Sequence, residues 1–204
     1  MLGACGPSIT PLPPRGPVPM VDIQVPPVDA VPTPTAPTAA EAAAATRAES
    51  EYFDAYPLMV PVAGVAPSSL RDSFNDARSG GRRHRALDIP ARRGTPALAA
   101  VDGSILSMRQ NALGGTTLYL VDEQRRFVYY YAHLDRYHDR ISEGIEVKQG
   151  EVVGYVGTSG NAPPGFPHLH FQALRVDARR RDWWNGPPVD IRPYFHMAGR
   201  ERAL

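Results

Sequence analysis

The stretch LYLVDEQRRFVYYY, residues 118–131, decides the architecture. Two runs of leucine, β-branched and aromatic residues, 118–121 and 127–131, flank five polar residues. That pattern predicts a β-hairpin. Working outward, residues 145–150 alternate and then turn, and residues 152–156 form a further short apolar run. Residues 158–167 (TSGNAPPGFP) have the composition of a loop, and residues 168–174 are strand-like again. From residue 58 onward, helical signal is confined to residues 67–78, with Ser68 or Ser69 as N-cap, and to the extreme C-terminus. Short strands at close spacing with glycine turns predict a mostly β protein, with a compact antiparallel sheet forming a sandwich or barrel-like core.

The chain has 204 residues, a length that fits one domain with some sequence to spare. Eleven of its 22 prolines fall in residues 1–37. Proline fixes φ and removes a donor, and large apolar side chains are scarce there. The stretch cannot repay the entropy of folding, so residues 1–38 are read as a disordered, partly polyproline tail. Residues 39–57 are rich in helix formers and read as a helical lead-in with a thin apolar face. Residues 58–195 are the expected folded domain, and residues 196–204 a C-terminal tail.

A formal net charge of +1 provides no basic field for gripping nucleic acid. The single cysteine excludes an intrachain disulfide framework and a Cys-built zinc finger. That residue, Cys5, ends the run Leu2-Gly3-Ala4-Cys5, which resembles a bacterial lipobox. The basic and apolar regions of a signal peptide do not precede it. Cys5 is therefore either a lipidation site that attaches the chain to a membrane or a free cysteine in a floppy tail.

Chemistry concentrates at histidines. His168 and His170 are separated by one residue in a strand-like run, so both imidazoles face one side and Leu169 and Phe171 the other. They can converge on one ion or one substrate; the plainer reading is two histidines on a solvated face. His84 and Asp88 stand four apart before Pro90, which favours extended structure or a turn. In a straight strand their Cα atoms would lie about 13 Å apart, so sharing an ion needs a bend or bulge between them. The alternative for Asp88 is an ion pair with Arg82, Arg83 or Arg85. His133 ends a β-run, where a packed or capping role is common. Together these residues supply two imidazoles and a carboxylate, a common catalytic zinc set, plus two further imidazoles.

The motifs His-x-x-x-Asp at 84–88, Tyr-Ala-His-Leu at 131–134 and Pro-His-Leu-His-Phe at 167–171 resemble the LytM/lysostaphin-type zinc endopeptidases. The glycine-turn sequences between them, at residues 94–103, 144–150 and 153–160, and the closing residues 189–194 are similar too. The resemblance covers roughly residues 58–195. It implies an antiparallel β domain with an open groove, located in the bacterial cell envelope on its periplasmic side. It also implies hydrolysis of peptide bonds in peptidoglycan peptides. His84, Asp88 and His170 would then be the Zn2+ ligands. His133 and His168 would be catalytic, orienting or deprotonating water and stabilising the oxyanion. His138 and His196 match no motif and are expected at the surface. The segments 108–115 and 160–167 are expected as loops walling the groove. A lipid on Cys5, followed by glycine, implies outer-membrane retention, and a monomer is expected. The competing reading is a catalytically silent relative that activates another cell-wall hydrolase by binding it; such relatives typically lose metal ligands, and here all five positions are filled.

Overall fold

The computed structural model describes residues 38–176 and 186–195. The expectations for the tail, for Cys5, for His196 and for a helix at the extreme C-terminus lie outside the described residues. Among the described residues, one α-helix, α1 (Ala39–Ala55), precedes nine strands. These are β1 (Leu87–Pro90), β2 (Pro96–Leu98), β3 (Gly103–Asn111), β4 (Gly115–Asp122), β5 (Phe127–Tyr137), β6 (Glu146–Val147), β7 (Val152–Val156), β8 (His168–Arg175) and β9 (Pro188–Val189). Every strand pair is antiparallel.

The expected hairpin is β4–β5, and Asp122 fixes its turn. The Asp122 carboxylate accepts hydrogen bonds from the backbone N–H groups of Arg126 (2.7 Å) and Phe127 (3.1 Å). The sandwich and barrel alternatives resolve into one open sheet. Its main path runs β1-β8-β5-β4-β3-β6, with β7 pairing β5 and β2, and β9 pairing β8. Strand β5 forks: residues 127–132 pair with β8, and residues 134–137 pair with β7. His133 sits at the fork.

The sheet buries one face in the core, where Phe127, Tyr129, Tyr131, Leu169 and Phe171 alternate inward from β5 and β8. Helix α1 covers part of this core through its last turns. Tyr52 and Phe53 are buried against Phe127, and Phe53 stacks on Tyr194 at 4.6 Å. Residues 39, 40, 43, 44 and 46–48 of α1 are exposed, in keeping with its thin apolar face.

Two local expectations are corrected. Residues 67–78 form no α-helix; only the single 3-10 turn Pro67–Ser69 remains of it. The competing structure is a short ribbon closed by Gly80 and Gly81, both at positive φ. Residue 77 bridges residue 83, and His84 N–H and Arg85 N–H donate to the carbonyls of Asp76 and Phe74 (2.9 and 2.7 Å). This pairing, with a turn at residues 74–75 closed by a 3.1 Å bond from Asp76 N–H to the Ser73 carbonyl, leaves no room for a helix. The segment 108–115 is also not simply a loop, because β3 continues to Asn111 and pairs residue by residue with β4 before the turn.

Candidate metal centre

The sheet register brings the predicted residues together. Asp88 on β1 lies directly opposite His170 on β8, and His170 lies opposite Ala132 on β5. His84 precedes β1, and the required bend is at Arg85, whose φ of 58° is the left-handed conformation that a side chain rarely adopts. That bend replaces the long separation of a straight strand with a contact of 3.0 Å between His84 Nε2 and Asp88 Oδ1. The same Oδ1 is 3.0 Å from His170 Nδ1, and the two imidazoles approach to 3.1 Å. One ligand atom from each of His84, Asp88 and His170 thus lies within 4.8 Å of the other two. Residues 168 and 170 share a face, as the alternation requires. His168 Nε2 lies 3.8 Å from Asp88 Oδ1.

His133 reaches the same place by a different device. Simple alternation would send it to the core beside Tyr131. Between Leu118↔Tyr131 and Thr116↔Leu134, however, β5 has two residues against one on β4. This is a β-bulge, and His133 occupies it with φ 60°. The extra residue flips His133 to the site side and returns Leu134 to the core. The His133 ring then lies 4.9 Å from that of His168 and 5.7 Å from that of His170.

Three of the four imidazoles have their orientation fixed by backbone carbonyls. His84 Nδ1 contacts the Ser73 carbonyl, His133 Nδ1 the Ser159 carbonyl and His168 Nδ1 the Phe166 carbonyl, each at 2.9 Å. A carbonyl only accepts, so each Nδ1 carries a proton and each Nε2 is the ring nitrogen turned toward the site. His170 differs, turning Nδ1 itself toward Asp88. Burial alone would raise the Asp88 carboxyl, but hydrogen bonds and charge from His170 and His84 outweigh it and hold it well below the usual range. Burial pulls His133 down to about 4 despite its bond to Ser159, and burial lowers His170 as well. At neutral pH the His133 ring is therefore neutral.

Ser73, Ser159 and Arg78 are the residues that sequence reasoning missed. Ser159 O–H donates to the Leu134 carbonyl (2.7 Å) and accepts from Thr116 N–H (2.9 Å), which locks the loop whose carbonyl holds His133. Its only sequence signal is its place in a glycine-bounded loop. Ser73 was hidden by the helical reading of residues 67–78. His138 is separate from the four: half-buried, it accepts from Arg140 N–H and lies beside Tyr155.

An open antiparallel sheet with two histidines and one carboxylate around a point, flanked by two more imidazoles, defines a His/Asp-built candidate metal centre. Residues 82–190 match the family described as Peptidase family M23, and the chain belongs to that family. It is 35% identical over 141 residues to the L-Ala–D-Glu endopeptidase of Bacillus subtilis (strain 168), covering 66% of this chain and 41% of that one. It is 29% identical over 124 residues to lysostaphin of Staphylococcus simulans, covering 60% of this chain and 23% of that one. The chain thus spans less than half the length of these curated relatives. Among solved structures, LytU superposes with a TM-score of 0.52 at 26% identity, covering 61% of this chain and 82% of that one.

Proposed function

We propose that the chain is a zinc-dependent endopeptidase that hydrolyses peptide bonds in stem or cross-bridge peptides of peptidoglycan, and that it works in the bacterial cell envelope. The observation that carries the reading is the convergence of His84, Asp88 and His170 beside two imidazoles with free Nε2 atoms, in a chain of this peptidase family. The donor set fits zinc, which takes imidazole nitrogen and carboxylate oxygen and in catalytic sites keeps a fourth position open. When bound, zinc supplies Lewis acidity that polarises a carbonyl and acidifies water.

The remaining work falls to side chains of this chain. In our reading His84 offers Nε2, Asp88 offers Oδ1 and His170 offers Nδ1 to the ion. His133 and His168 are the non-ligand catalytic pair. A neutral His133 accepts a proton from water at Nε2 and, once protonated, donates it to the leaving amine. His168 Nε2, on the same side as the ligands, takes part in the proton transfers and, when protonated, donates to the oxyanion. The Ser159 and Phe166 carbonyls keep both rings in the tautomer that leaves Nε2 available.

Metal analysis tests the metal half of this reading. Purified protein should hold about one zinc per chain. A chelator should strip the metal while circular dichroism retains the β signature, because a core of this size does not depend on one ion. Unfolding on chelation would contradict a catalytic metal and indicate a structural one.

A further inference from the structure

The Asp88 carboxylate uses its two oxygens differently. Oδ1 faces both His84 Nε2 and His170 Nδ1 at 3.0 Å. Oδ2 is held by the Arg78 guanidinium through one nitrogen, Nη2. Arg78 comes from the ribbon that replaces the expected helix, and its backbone is fixed at the ribbon's mouth by a 2.9 Å bond from its N–H to the Arg82 carbonyl. The ribbon itself is stitched by Arg71 to Asp76, by Arg83 to the Asn75 carbonyl and by Arg85 to the Asn75 side chain. Arg85 also lies over the Phe74 ring. Arg78 is thus presented by a built element. The ion pair that the sequence allowed between Asp88 and Arg82, Arg83 or Arg85 exists, but with a more distant arginine.

We propose that Arg78 is a positioning residue that holds Asp88 as a one-oxygen ligand, leaving Oδ1 for the metal and withholding Oδ2. This rests on the zinc reading above. Two effects of Arg78 oppose each other, and their balance gives the inference its sign. A cation beside the carboxylate weakens its pull on a second cation, so charge alone predicts tighter metal binding when Arg78 is removed. Orientation predicts weaker binding, because partners that hold a ligand in place typically contribute 10–100-fold in affinity. Asp88 and Arg78 are partly exposed, which screens the charge effect and leaves the orienting one. Orientation therefore dominates.

The test measures zinc affinity of the full chain by competition with a chromophoric chelator for wild type, Arg78→Ala and Arg78→Lys. Thermal melts of the metal-free proteins serve as a fold control. Arg78→Ala should bind zinc about 10-fold or more weakly with a nearly unchanged melt. Arg78→Lys, which keeps a donor for a contact made by one nitrogen, should recover most of the loss. The visible bands of the cobalt-loaded Arg78→Ala protein should be weaker than those of wild type, as the freed Oδ2 adds a fifth donor. Unchanged or tighter zinc binding by Arg78→Ala, or an unchanged cobalt spectrum, would overturn the inference. If Arg78→Ala melts as unfolded, Arg78→Lys decides: wild-type affinity and spectrum support the inference, and a lysine variant no better than a charge-neutral glutamine overturns it. A wild-type protein that binds no zinc would instead overturn the proposed function, and this inference with it.

Discussion

At the residue scale, two positions on one face of a strand, separated by a single residue, are assigned different work. His170 meets Asp88 and His84, whereas His168 is tied at Nδ1 to a carbonyl and stands further from Asp88. His170→Ala, His84→Ala and Asp88→Ala should each lower zinc content markedly. His168→Ala and His133→Ala should keep near-normal zinc and lose turnover by about 10²-fold or more, the scale of a lost proton-transfer or oxyanion group. Metal content and rate measured on the same five preparations check this sorting. Zinc loss in His168→Ala or His133→Ala would reassign those residues as ligands. That His168 and His170 share a face was legible from alternation, whereas the grouping of His84, Asp88 and His133 with them rested on the family resemblance, because it depends on the bend at Arg85 and the bulge at His133. The carbonyls of Ser73, Ser159 and Phe166 were not legible, since any residue can supply a carbonyl and only backbone geometry selects which one does.

At the element scale, the bulge in β5 and the loop after β7 act together. Gly115 and Gly160 both have positive φ and pack backbone against backbone. A Cβ on Gly160 would lie 2.3 Å from Gly115 N and 2.5 Å from the Leu113 carbonyl. Gly160→Ala must therefore displace the loop that carries the Ser159 carbonyl, at a cost of more than about 1 kcal/mol. His133 would lose its acceptor, while the ligands on β1 and β8 keep theirs. The expected outcome is a folded protein with zinc retained and turnover reduced, read from metal analysis beside a rate assay; an unchanged rate would show that the Ser159 carbonyl does not matter to His133. Strands β4, β5 and β7 were readable as short β-branched and aromatic runs, and β8 through the alternation at residues 168–171. The Ala132–His133 bulge was not, because register is set by pairing and an extra residue leaves no mark in residue type. The segment 67–78 misled for a similar reason: local propensity favoured a helix, and pairing across the Gly80-Gly81 turn prevailed.

At the scale of the whole molecule, α1 and the β4–β5 turn are joined through one buried carboxylate. Tyr52 O–H donates to Asp122 Oδ2 at 2.8 Å, and the same carboxylate caps the turn. Burial raises the Asp122 carboxyl above its ordinary value, against the hydrogen bonds from Tyr52, Arg126 and Phe127. A raised carboxyl means that the folded chain binds the proton more tightly than the unfolded one. Its contribution to stability is fully present below the unfolded value near 3.8 and is lost as pH rises through the folded value. Asp122→Asn, neutral at every pH, should lack that slope. The stability of wild type relative to Asp122→Asn, measured by urea denaturation of the metal-free proteins from pH 4 to 7, should fall as pH rises. A difference that stays flat or grows would contradict the raised carboxyl.

The central claim is that the five side chains on this sheet cut peptide bonds in peptidoglycan. Its most direct test is to incubate the purified, zinc-loaded chain with muropeptides of known cross-link and to identify the products by mass. The prediction is a product pair that differs from its parent by one added water across a single peptide bond, absent after chelation and restored by zinc. Intact muropeptides in the presence of one bound zinc per chain would contradict the claim and point to a catalytically silent module that acts by binding.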